Sequence, residues 1–102
     1  MNILTNLAFI RAKAGRSDDL GQGLLGLVAA SRAEPGCLCY EVHRSNDDAD
    51  LWMVYENWRS AEDLAAHFSL PHMQAFIKDV PSLVEGELDL RSFSRLSPAV
   101  AP

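Results

Sequence analysis

The sequence predicts an α+β domain in the order β-α-β-β-α-β, an antiparallel sheet with its helices on one face. Three observations carry the prediction. Segments 3–13, 37–43, 51–58 and 88–96 alternate in the two-residue period of strands. Apolar residues at helical spacing fill the intervals between the first and second of these and between the third and fourth. The middle pair is joined only by the polar turn 45–50, which reads as a hairpin. The length, 102 residues with 48% hydrophobic content, suits one domain with one core.

The first strand is largely apolar on both faces, with Ile3, Leu7 and Phe9 on one and Leu4, Ala8 and Ile10 beside Asn6 on the other. Ala14-Gly15-Arg16 breaks it. Ser17 is expected to cap a helix whose first turn holds Asp18 and Asp19, charges that suit a helix N-terminus. Leu20, Leu24, Leu27, Val28 and Ser31 follow at helical spacing. Gly21, Gly23 and Gly26 each cost about 1 kcal/mol relative to Ala and are read as permitting close packing. Pro35-Gly36 ends this helix. In the second strand Leu38, Tyr40 and Val42 take one face, and Cys37, Cys39, Glu41 and His43 the other.

The third strand sets Trp52, Val54 and Trp58 against Leu51, Met53 and Tyr55. Ser60 caps the next helix, with Asp63 where a capping box carries Glu. Leu64 and Phe68 mark its buried face, and His67 is expected at the margin of that face. Pro71 suits the first position of a further short helix carrying Met73, Phe76, Ile77 and Val80. Residues 1–97 form the domain and 98–102 a tail. The element order is the ferredoxin-like arrangement. A single helical layer covers one side of the sheet, so the apolar residues of the other side predict sheet-to-sheet homodimerisation into a dimeric α/β barrel.

Charge excludes some functions. The net charge of −5 and the scattered Lys and Arg residues argue against a nucleic-acid surface. No apolar run approaches the roughly 18 residues of a membrane span. The start, Met1 to Asn6, lacks the pattern of a signal peptide, so a cytoplasmic protein is expected. Cys37 and Cys39 are read as buried, reduced thiols, because a lone Cys-x-Cys is weak evidence for a metal. Neither a ligand cluster nor a phosphate-binding glycine loop is visible, so no metal, flavin or haem is expected.

Several spaced elements together resemble the antibiotic biosynthesis monooxygenase domain family, in particular its quinol-monooxygenase-like members. They are Ile10 to Gly15, Pro35-Gly36-Cys37 with Tyr40-Glu41, and Tyr55-Glu56-Asn57-Trp58 with Ser60. Leu64 with Ala66-His67, and Pro71-His72 with Ala75-Phe76, complete them. The resemblance implies a dimeric ferredoxin-like protein with an apolar pocket between sheet and helices. It also implies a monooxygenase that adds molecular oxygen to a quinol-like or polycyclic phenolic substrate without any cofactor. Relatives on this fold degrade haem, isomerise small metabolites or have no assigned activity, so fold does not fix function. The haem ligand of such relatives would fall near Ile77, where this chain has no His, and only a register shift would let His72 replace it. The Arg of anthrone-type oxygenases has Lys78 as its nearest match, without the planar fork.

Cofactor-free oxygenation requires a base for the phenolic proton, a donor for the anion and a pocket that excludes water. His67 is the candidate base, because imidazole titrates near neutrality. His72, at a helix start, and Asn6, Trp58, Tyr55, Phe68 and Phe76 are the candidate substrate contacts. Trp58 and Tyr55 have opposite parity and cannot both line one simple pocket. The competing readings are a small-metabolite isomerase with His67 as proton shuttle, and a non-catalytic dimer that binds small aromatic ligands.

Overall fold

A β-ladder pattern centred on Leu4–Arg11 organises the computed structural model, which describes residues 3–98. The strands are β1 (Leu4–Arg11), β2 (Cys37–Arg44), β3 (Leu51–Trp58) and β4 (Asp89–Ser94), in the sheet order β2-β3-β1-β4 with every pairing antiparallel. This is the ferredoxin-like order. The helices, α1 (Ser17–Leu25), α2 (Val28–Arg32), α3 (Ala61–Ser69) and α4 (Pro71–Leu83), cover one face. On that face Ala8 stands opposite Val54, and Leu4 opposite Trp58. The core joins Ala8, Ile10, Trp52, Val54 and Trp58 to Leu20, Leu24, Met73 and Phe76 of the helices.

The structure revises several local expectations. Ser17 begins α1 without capping it. Its hydroxyl donates to the Ala49 carbonyl (2.5 Å) and accepts from Trp52 Nε1 (3.0 Å) and Arg44 Nη2 (2.9 Å). The expected single helix is two, divided at Gly26 and Leu27. Gly21 does permit close packing: a Cβ there would lie 2.5 Å from the Trp52 ring. α4 runs through Pro81 to Leu83. The last strand is shorter than the expected 88–96. Of the expected tail only Pro98 falls among the described residues.

A register shift between Cys37 and Cys39 sets Cys37 opposite Trp58 and Cys39 opposite Asn57. These are successive residues of β3, so the irregularity separates two thiols that strict alternation would put on one face. It also leaves Leu38 exposed, whereas Tyr40 is buried and Val42 partly buried. Both thiols are free and half-buried, less buried than expected. Burial pushes Cys37 up to about 11, which keeps it protonated and unreactive at neutral pH.

Ser60 does cap α3. Its Oγ accepts from the Asp63 backbone N–H (3.1 Å) and donates to Asp63 Oδ2 (2.8 Å), while the Arg59 guanidinium grips Asp63 through both carboxylate oxygens. This fixes the start of the helix that carries His67. No helix among the described residues is long and apolar enough to cross a membrane.

Candidate active site

Two turns into α3, His67 points to the sheet and is 1% exposed, fully inside the core where the margin of the helix was expected. The α3 face packs on β3, and the ring lies 4.6 Å from the Trp58 ring, 5.4 Å from Phe68 and 5.7 Å from Tyr40, centroid to centroid. Its Nδ1 is 2.7 Å from Glu34 Oε2, and His72 Nε2 reaches the same oxygen at 2.9 Å. Glu34 stands in the turn after α2, just before Pro35, and its side chain is 8% exposed. A carboxylate only accepts hydrogen bonds, so His67 donates from Nδ1 and His72 from Nε2. That tautomer leaves Nε2 of His67 as its free acid–base atom. Burial lowers the His67 pKa, with Glu34 acting in the opposite direction. The ring is therefore neutral near pH 7.

A second carboxyl lies on the same sheet face. Glu56 is 3% exposed between Val54 and Trp58 on β3. Its Oε1 accepts from Trp58 Nε1 (2.9 Å) and its Oε2 from Asn6 Nδ2 (3.3 Å). These donors favour the charged form, but burial outweighs them and pushes the carboxyl up to about 7. Burial and the nearby Glu56 also raise the Tyr40 pKa, so its phenol stays protonated.

His67, Glu56 and Tyr40 are the polar members of a narrow cavity between sheet and helices. Its apolar walls include Ala8, Ile10, Leu24, Val54, Phe68, Met73 and Phe76, and Leu88 and Leu90 close the side toward β4. The cavity measures about 20 Å³, room for one water-sized molecule. Leu90 is 45% exposed, so the wall on the β4 side is the thin one. The arrangement offers a neutral imidazole and a carboxyl near its titration point inside an apolar, nearly closed space. That combination suits moving a proton where bulk water is excluded.

The structure thus brings His67, Phe68 and Phe76 to one cavity. Asn6 and Trp58 stand behind it, with their N–H groups committed to Glu56. His72 lies on the outer side, committed to Glu34. Tyr55 does not join them: it pairs with Leu7 and Glu41 on the opposite face of the sheet, as its parity requires. Lys78 is exposed. Glu34, Glu56 and Tyr40 were not among the sequence candidates. For Glu56 the signal was present, a carboxylate on the buried parity of an otherwise apolar strand. The expectation that no metal-ligand cluster exists also needs correction, because Glu34, His67 and His72 offer ligand atoms that all lie within 4.8 Å of one another.

Residues 3–79 match the family model described as antibiotic biosynthesis monooxygenase. Among solved structures, the PA3566 protein of Pseudomonas aeruginosa superimposes with a TM-score of 0.91 at 33% identity, covering 95% of this chain and 97% of that one. A protein of unknown function from Bacteroides thetaiotaomicron, described as a possible oxidoreductase, gives a TM-score of 0.84 at 26% identity over 92% of this chain and 98% of its own. A curated relative, the uncharacterized protein sll1783 of Synechocystis, is 26% identical over 66 residues, 65% of this chain. The matched segment spans 45% of that relative's length. The chain belongs to the antibiotic biosynthesis monooxygenase family.

Proposed function

We propose that this family member is a cofactor-independent monooxygenase for a phenolic or quinol-like compound, with His67 as the base that takes the hydroxyl proton. The observation that carries the reading is the buried His67 ring, with Nδ1 held 2.7 Å from Glu34 Oε2 and the ring lining an apolar cavity. Nε2 receives the phenolic proton, and Glu34 steadies the imidazolium that results. The phenolate, held away from water, passes an electron to molecular oxygen, and the radical pair closes to a C–O bond. For a phenol with a free para C–H, one dioxygen converts the substrate to the para-quinone and releases one water. The substrate supplies all four electrons, so no external reductant enters. Admission of the ring requires the cavity of about 20 Å³ to open, and Phe68 and Phe76 are the walls that would then meet its plane.

The protein acts as a homodimer in this reading. Leu7, Phe9, Met53 and Tyr55 lie half-buried on the sheet face away from the helices, and Phe93 of the same face is 48% exposed. A second copy covers them. Sedimentation of the native chain should give a dimer at micromolar concentration, and Phe9→Glu should give a monomer.

Because His67 is fully buried, truncation to Ala would damage the fold whatever the ring does. His67→Gln keeps the volume and a donor for Glu34 but removes the titrating nitrogen. Oxygen consumption with a panel of naphthols and hydroquinones should fall by about a hundredfold or more in a folded His67→Gln protein. A folded variant with unchanged turnover overturns the base assignment.

A further inference from the structure

We propose that Glu34, His67 and His72 form a binding site for a divalent transition-metal ion of the zinc type, seated between the turn after α2 and the α3–α4 junction. The ligand atoms are Glu34 Oε2, His67 Nδ1 and His72 Nε2. The carboxylate oxygen already stands 2.7 Å and 2.9 Å from the two nitrogens. Zinc bonds of about 2.0–2.1 Å set neighbouring ligand atoms about 2.9–3.4 Å apart for angles between 90° and 109°. The two carboxylate–imidazole separations already fall close to that range, and all three ligand atoms lie within 4.8 Å of one another, so seating the ion requires the two nitrogens to turn toward each other. Two imidazoles and a carboxylate suit zinc, copper, nickel or cobalt, whereas calcium and magnesium take all-oxygen shells.

The charge and the path agree. Among the described residues the Glu34 carboxylate has only the two imidazoles as ion-pair partners, although its side chain is 8% exposed. A dication supplies the charge that a buried carboxylate otherwise lacks. His72 is 22% exposed at its side chain and borders an open groove between α1 and α4, lined by Gln22, Gly23 and Asp79. The ion enters there, and water completes its shell on that side. Coordination requires the lone pair of each ligating nitrogen, so the ring protons move to His67 Nε2 and His72 Nδ1. A consequence rests on the proposed oxygenase reading: an ion on Nδ1 leaves the proton on Nε2, so the metal-loaded protein has no base and its oxygen uptake stops.

The test is direct. Chelator-treated native protein is titrated with Co²⁺, followed by its visible absorption bands, and with Zn²⁺ by calorimetry. One ion per protomer is expected. His72→Gln and Glu34→Gln should each weaken binding at least tenfold, and His43→Ala, an exposed histidine elsewhere, should leave it unchanged. No saturable binding at micromolar ion, or equal binding in the native protein and both ligand variants, overturns the site. Binding is read without any substrate, so its failure leaves the oxygenase reading standing, and an inactive protein that still binds cobalt leaves the metal site standing.

Discussion

Trp52 and Trp58 sit on the same face of the same strand, both buried and both donating through Nε1, and the two ends of the sheet they serve differ in kind. Trp52 donates to the hydroxyl of Ser17, lies under the Arg44 guanidinium at 4.9 Å, and leaves no room for a Cβ on Gly21. Trp58 donates to the carboxyl of Glu56 and packs against the tilted ring of His67. One indole meets a partner that never ionises, and its surroundings are closed by shape. The other meets partners that titrate, around a cavity. The acceptor, more than the tryptophan, decides whether the end of the strand is scaffold or chemistry.

The largest expected effect separates the ends by pH. Burial raises the Glu56 pKa in the folded state from about 4.5 to about 7. The folded protein therefore keeps a proton that the unfolded chain has lost, and this contribution to stability is present below pH 4.5 and lost as pH rises through 7. Glu56→Gln removes the titration. The stability of this variant relative to the native protein should rise between pH 4.5 and 7 by roughly 3 kcal/mol, measured by urea unfolding at each pH. A flat difference would mean that the carboxyl titrates alike in both states.

At the other end, Ser17→Ala orphans the buried Trp52 N–H and should cost about 2 kcal/mol, with no dependence on pH over the same range. The Tm should fall by about 10 °C. The smallest effect sharpens the comparison most. Trp52→Phe and Trp58→Phe remove the same donor from the same strand face. The cost of Trp58→Phe should grow by about 1 kcal/mol above pH 7, where it strips a donor from a charged carboxylate, and that of Trp52→Phe should stay constant. Equal pH profiles for the two would erase the distinction.

The sequence showed the strands and the helix-facing residues of β3 because alternation is a local property of a regular ladder. It misplaced Cys37 and Leu38, because the irregularity changes parity only at the start of β2, where no residue announces it, while Cys39, Tyr40 and Val42 keep the faces expected of them. The single helix expected through Leu27 failed at Gly26, where three glycines had already weakened the case. His67 was legible as a candidate from helical spacing, but its depth was not, because that depends on Trp58 and Tyr40 arriving from other strands. Glu34 was not legible at all. It lies 33 residues from His67 and 38 from His72, in a turn whose signals are those of a chain break.

The unequal anchoring of the cavity walls has a kinetic meaning. Every residue of β4 is exposed, and the strand holds to the sheet along one edge, through β1. The other walls belong to the core. Exchange of backbone amides should therefore run through β4 long before it reaches β1 or β3. A cavity sized for a single water then becomes a passage whose width is set by the breathing of one marginal strand. In the proposed oxygenase, the ceiling on turnover for bulky compounds would be the opening rate of β4, tunable by substitutions at its edge that never touch His67.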